Sequence, residues 1–312
     1  MERQPNTEYV LSISYGKDSI ACLEAIHQLG LPLDRIVHAE VWATDTIPAD
    51  LPPMVEFKKF ADQVIKFRYG IDVEHIHAVD KNGEKLTYEK MFYHKPVRKA
   101  KPGGGFSDSL KSEEYGATAD SNYLPYKGFP LTRGSWCKKL KTTYAVWQHL
   151  RISNIVPTGG GIGVPQSRRE FSALPHSQGA ITNTVSYLGI AADEPLRIEK
   201  HKDKAIMPLT IIGWDEAYCR QWCEENLLLA PTYSDSLRGG CWFCHNQSVG
   251  QLRLLRKKYP EYWQLLLKWD NDSPVTFKPD GHTVHDFEKR FAAEDSGLIV
   301  PGDSRFRWKQ VL

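Results

Sequence analysis

The segment Tyr9-Val-Leu-Ser-Ile-Ser-Tyr-Gly-Lys-Asp-Ser-Ile20 constrains this chain most, because an apolar strand runs into the polar turn Ser14-Tyr-Gly-Lys-Asp-Ser19 and from there straight into a helix. A turn of small polar residues lets backbone N–H groups approach an anion, and the positive end of the helix dipole adds to the attraction. Gly16 is expected to take the positive φ that such a turn needs. The helix shows in Ile20, Leu23, Ile26 and Leu29 at helical spacing, with Gly30 as its stop. A Walker loop is excluded, since G-x-x-x-x-G-K-[ST] needs a first glycine that this chain lacks. The plain alternative is a strand-turn-helix whose polar turn binds nothing.

The pattern continues as strand, helix, strand. Strands are expected over residues 9–14, 35–43 and 73–79, and helices over 19–29 and from Pro52-Pro53 to Gly70. Alternation of this kind predicts an α/β fold with a doubly wound, mainly parallel sheet. Ligands of such sheets bind beyond the carboxyl ends of the strands, where Ser14 and Asp45 both fall. Residues 80–130, rich in Gly, Lys and Tyr, are expected to be an insertion or lid over the site. Residues 157–183 begin with a glycine run that lacks dinucleotide spacing and read as a flexible loop. The expected division is a nucleotide-binding α/β domain over 1–235 and a helical, cysteine-containing region over 236–312.

A formal charge of +2 across 312 residues gives no general case for a nucleic-acid binder. Arg253, Arg256, Lys257 and Lys258 nevertheless sit in a basic run, broken near Pro260 into two short helices, that suits either a nucleic-acid backbone or a solvated face. No stretch reaches the roughly 18 apolar residues of a membrane span. The first residues show no apolar leader pattern, so a cytoplasmic location without membrane contact is the expectation.

Six cysteines with no secretory leader point to thiol, metal or redox chemistry rather than a disulfide scaffold. Cys22 lies in the first helix as a small core residue, and Cys219 and Cys223 fall on one helix face. Cys241 and Cys244 form a C-x-x-C that can put two thiolates on one metal, with Cys137 as a distant third. An iron–sulfur cluster, zinc bound by these three cysteines and His245, and free thiols are the alternatives.

Ser14-Tyr-Gly-Lys-Asp-Ser19 resembles the S-G-G-x-D-S loop of the PP-loop ATP pyrophosphatase superfamily, with Tyr15 in place of the first glycine. Three further segments resemble its phosphoadenylylsulfate (PAPS) reductase-like branch. They are Arg133-Gly-Ser-Trp-Cys-Lys-Lys-Leu-Lys141, Tyr187-Leu-Gly-Ile-Ala-Ala-Asp-Glu-Pro-Leu-Arg197 and Arg238-Gly-Gly-Cys-Trp-Phe-Cys-His245. The likeness spans roughly residues 9 to 250 and extends to iron–sulfur adenylylsulfate reductases and DNA-phosphorothioation enzymes.

The resemblance implies an adenine nucleotide alpha hydrolase-like fold that holds ATP, or an adenylylsulfate, with Mg²⁺. Ser14, Tyr15, Gly16, Lys17, Asp18, Ser19, Asp45, Glu194 and Arg197 are the implied nucleotide-binding residues, with Lys17, Asp18 and Asp45 catalytic. Cys137, Cys241 and Cys244 are the implied ligands of a 4Fe–4S cluster, with Zn²⁺ as the alternative. Reductases of the branch carry a catalytic cysteine in E-C-G-[LI]-H near the C-terminus, and no cysteine follows Cys244 here. The expected activity is therefore ATP pyrophosphate cleavage that activates a substrate for sulfur transfer. The alternatives are an adenylylsulfate reductase and a non-catalytic nucleotide-binding subunit of a nucleic-acid-modifying or defence assembly. Expected partners are an adenine nucleotide, with a nucleic-acid substrate, a cysteine desulfurase as sulfur donor and a homo-oligomer as further candidates.

Overall fold

The computed structural model describes residues 2–80, 82–94, 99–101, 105–107, 126–130, 136–140, 183–233, 239–303 and 306–311. In chain order the strands are β1 (Thr7–Ser12), β2 (Arg35–Glu40), β3 (Val73–His77), β4 (Lys99–Lys101), β5 (Gly105–Ser107) and β6 (Asn183–Tyr187). The α-helices are α1 (Lys17–Gln28), α2 (Pro52–Tyr69), α3 (Tyr88–Phe92), α4 (Pro195–His201), α5 (Pro208–Ile212), α6 (Glu216–Glu225), α7 (Val249–Lys258), α8 (Pro260–Asp272) and α9 (Val284–Asp295).

The chain divides into two compact units, each assembled from three segments. One comprises Met1–Trp42, Asp50–Leu86 and Lys138–Gly239; the other comprises Ala43–Ala49, Thr87–Cys137 and Gly240–Leu312. This corrects the contiguous division at residue 235. The second unit draws in earlier segments because their backbone is bonded there: Trp242 N–H donates to the Ala49 carbonyl at 2.9 Å, and Glu89 N–H to that of Ala43 at 2.9 Å.

The first unit is built on a parallel sheet of four strands in the order β3-β2-β1-β6, with helices on both sides. Leading away from β1, the chain adds β2 and β3 on one side, whereas β6 joins on the other. The order therefore reverses at β1, whose carboxyl end carries the polar turn. Helix α2 starts at Pro52-Pro53, where a missing N–H costs nothing, and stops at Gly70, whose φ of 71° favours glycine. Tyr9, Leu11 and Ile13, with Ile20, Leu23 and Ile26 of α1 and Cys219 and Cys223 of α6, form one buried cluster. Each fully buried Leu or Ile side chain contributes about 1.5–3 kcal/mol. The two α6 cysteines are thus core residues, as their four-residue spacing predicts.

The second unit has an aromatic core. Trp242 stacks on Trp269 with ring centroids 5.7 Å apart, and Tyr88 packs against Phe243 at 4.1 Å and Trp269 at 5.1 Å. Strands β4 and β5 form a separate antiparallel ladder in this unit. Tyr88, Met91 and Phe92 of α3 are buried, so this part of the expected 80–130 insertion is core rather than lid. Most of that stretch, and residues 157–182, lie outside the described residues.

Helices α7 and α8 meet at Pro260 as expected. Arg253 pairs with Glu294, and Arg256 pairs with Glu288 at 2.9 Å and Asp295 at 2.5 Å. Two of the four basic residues offered for a nucleic-acid backbone are therefore engaged by acids of α9, which favours the plainer reading of that face.

Candidate functional site

The polar turn sits at the carboxyl end of β1 and closes on itself. Ser14 N–H donates to Ser19 Oγ at 3.2 Å, and Ser19 Oγ–H donates to the Gly16 carbonyl at 2.9 Å. The two serine hydroxyls lie 3.3 Å apart. Gly16, Asp18 and Ser19 have backbone N–H groups with no acceptor among the described residues, so the start of α1 presents orphan donors. Lys17 N–H, by contrast, donates to the Tyr233 hydroxyl at 3.2 Å, so that hydroxyl oxygen holds an acceptor position at the loop.

The Lys17 side chain is buried, with Nζ 2.6 Å from Asp18 and 3.6 Å from Glu216. Burial pulls its pKa down, but the bond to Asp18 and the charges of Asp18 and Glu216 outweigh this and raise it. Lys17 is thus a fixed cation beside the orphan N–H groups. Behind it, the Cys223 thiol donates to the Lys17 carbonyl at 3.4 Å. Burial raises Cys219 and Cys223 to about 12, leaving both as neutral thiols.

The expectation for Gly16 is corrected. Gly16 has φ −75° and ψ 155°, an ordinary extended residue, and the left-handed conformation falls on Tyr15 at φ 57°. This is the position where the PP-loop pattern has its first glycine. A tyrosine there carries backbone strain that its side chain offsets. Its ring is fully buried and meets His38 edge-on at 4.8 Å, while its hydroxyl donates to Asp62 and lies 3.1 Å from His75 Nε2. Burial, then the Asp62 bond, pushes the Tyr15 hydroxyl far above its usual range.

A polar network extends from this ring. His38 Nδ1 lies 2.8 Å from the Ile13 carbonyl and Nε2 lies 2.7 Å from Lys58 Nζ, which also bonds Asp50 at 2.5 Å. His75 spans Asp62 at 2.8 Å through Nε2 and Glu40 at 3.0 Å through Nδ1. Those two carboxylates raise His75 to about 9. Burial, with the Lys58 ammonium alongside, lowers His38, and the bond to His75 lowers Glu40.

The segment after β6 reaches the loop through Gly189. A Cβ there would lie 2.6 Å from the Asp18 carbonyl oxygen and 3.0 Å from Ser19 Cα, so only glycine allows this approach. Glu194 and Arg197, further along the same segment, pair with each other at 2.5 Å, and Arg197 is largely exposed. Glu194 also accepts the Ala191 N–H at 3.2 Å. Asp45 belongs to the other unit, where it pairs with Lys90 at 3.0 Å.

Cys137, Cys241 and Cys244 all belong to the second unit. The Tyr88 hydroxyl is raised first by burial and then by the charges of these three cysteines. The Tyr88 hydroxyl and the indole N–H of Trp136 are both buried with no hydrogen-bond partner among the described residues, and their rings lie 4.8 Å apart. Two such donors, one on the residue next to Cys137 in the chain, fit a group bearing sulfur acceptors. Tetrahedral zinc holds its thiolate sulfurs about 3.8 Å apart. Among the described residues, no cysteine group, with or without His245, brings three donor atoms within 4.8 Å of one another. Arg133 and Arg238 lie outside the described residues.

The group that does meet that spacing is His38, Glu40 and His75, which sequence reasoning passed over. The available signal was the pair of polar residues in His38-Ala-Glu40, set in a strand otherwise fit for burial on both faces. Compared with protein-family models, curated proteins and solved structures, the chain has no significant match.

Proposed function

We propose that the chain is a PAPS reductase-like PP-loop enzyme of doubly wound, adenine nucleotide alpha hydrolase-like fold. It binds ATP with Mg²⁺ at the Ser14–Ser19 loop and cleaves it to AMP and pyrophosphate, activating a substrate oxygen that sulfur then replaces. The observation that carries this reading is the loop at the strand-order reversal of a parallel sheet, where orphan N–H groups lie beside the buried Lys17. A crevice with those donors suits a polyphosphate. Gly189 supports it as well, since it brings against the loop the segment that resembles the PAPS reductase-like branch.

In this reading Lys17 balances phosphate charge, the N–H groups of Gly16, Asp18 and Ser19 donate to phosphate oxygens, and Asp18 orients the lysine. Glu194 and Arg197, which follow Gly189 in the same segment, are assigned the nucleotide as the resemblance implies, with Arg197 leaving Glu194 to meet an anionic group. Asp45, which pairs with Lys90 in the second unit, has no part in this loop-centred reading.

The charges of Cys137, Cys241 and Cys244 felt at Tyr88, with the unpartnered ring donors of Tyr88 and Trp136, support a 4Fe–4S cluster over zinc, the two donors bonding cluster sulfur. When bound, such a cluster would supply a site for sulfide or an electron. The function is tested by pyrophosphate release from ATP in the presence of candidate acceptors. Lys17→Ala is expected to lower it by about 10²-fold, the cost of removing one preorganised charge donor. Unchanged release would reject the assignment.

A further inference from the structure

We propose that His38, Glu40 and His75 form a binding site for a divalent first-row transition metal ion, behind the phosphate loop and independent of the nucleotide and cysteine readings. Strands β2 and β3 run in parallel with His38 paired to His75, and Glu40 lies two residues beyond His38 on the same face. One donor atom from each of the three lies within 4.8 Å of the others. Two imidazoles and one carboxylate on neighbouring strands make a three-sided donor set suited to Fe²⁺, Co²⁺, Ni²⁺ or Zn²⁺.

The outer bonds orient both rings, and this is the second observation. A carbonyl can only accept, so His38 carries its proton on Nδ1 toward Ile13 and presents the Nε2 lone pair to the group. A carboxylate likewise only accepts, so His75 donates Nε2–H to Asp62 and, without metal, Nδ1–H to Glu40, the one proton a metal would displace. Metal-bound histidines are held this way, with the far nitrogen fixed by a carbonyl or carboxylate.

Lys58 Nζ, 2.7 Å from His38 Nε2, competes for that lone pair, and Asp50 at 2.5 Å gives the ammonium an alternative partner. The pocket therefore already accommodates a cation at this nitrogen. Because the His38 ring abuts Tyr15 at 4.8 Å, a metal here would brace the loop from behind.

The test is a Co²⁺ titration of the full, reduced chain carrying no histidine tag, followed by visible absorption. Expected is one equivalent showing d–d bands without the near-ultraviolet thiolate charge-transfer band that cysteine ligation would give. Affinity should fall about ten- to hundred-fold in His75→Gln and in Glu40→Gln, and should rise in Lys58→Met. The size-conserving variants keep the test valid if His38→Ala does not fold. No saturable signal apart from the thiolate band, binding unchanged in both size-conserving variants, or weaker binding in Lys58→Met would overturn the proposal.

Discussion

Gly189 and Asp18 are in backbone contact: a Cβ on Gly189 would lie 2.6 Å from the Asp18 carbonyl oxygen. Backbone cannot swing aside as a long side chain can, so Gly189→Ala must push the β6 segment off the loop. Overpacking of this kind costs about 1–3 kcal/mol. Urea unfolding should show that loss, with weaker ATP binding. A variant with wild-type stability and affinity would mean that the contact does not position the loop.

Tyr15 should hold the fold better than a glycine at the same position would. Tyr15→Gly relieves the backbone at φ 57° but removes a fully buried ring, and large-to-small core changes cost about 3–5 kcal/mol. Tyr15→Phe keeps the ring and withdraws the hydroxyl from Asp62 and His75, for a loss of about 1–3 kcal/mol. Denaturant midpoints should therefore order as wild type, Phe, Gly. Stability of Tyr15→Gly equal to wild type would show that the side chain holds nothing.

These two positions also show what could be read from the sequence. The polar turn between strand and helix, the helix from Pro52-Pro53 to Gly70 and the break at Pro260 follow from local chemistry, and each appears in the structure. Gly16 misled because glycine permits positive φ without requiring it, and the strain falls one residue earlier. The Lys90 partner of Asp45 could not be read from its position after β2, because the ion pair forms within the second unit. His38, Glu40 and His75 were hidden because only the β2–β3 register brings them together. Arg253 and Arg256 read as a free basic face until α9 supplied their acids.

The metal-free protein should lose stability on mild alkalinisation. His75 is raised in the folded state to about 9 from an ordinary value near 6.5, so its contribution is complete below pH about 6.5 and is lost as pH rises through 9. Melting temperatures in chelator should fall between pH 7 and 9.5, and His75→Gln should flatten that fall relative to wild type. Parallel profiles for the two proteins would refute the assignment.

Tyr88 and Trp136 give the cysteine cluster its own signature. Freshly purified anaerobic protein should contain iron and acid-labile sulfide, both lost in Cys241→Ser. Tyr88→Phe should retain them but shift the reduction potential, since one donor to cluster sulfur is removed. Zinc without sulfide would instead make the three cysteines a structural clip.

The loop's claim on adenine nucleotide is tested most directly by calorimetric titration of the wild-type chain and Lys17→Ala with a non-hydrolysable ATP analogue and Mg²⁺. The account predicts one-site binding that weakens about ten-fold or more in the variant, the loss of a single buried charge-assisted contact. Absence of binding by the wild type, or equal affinity in both, would contradict it.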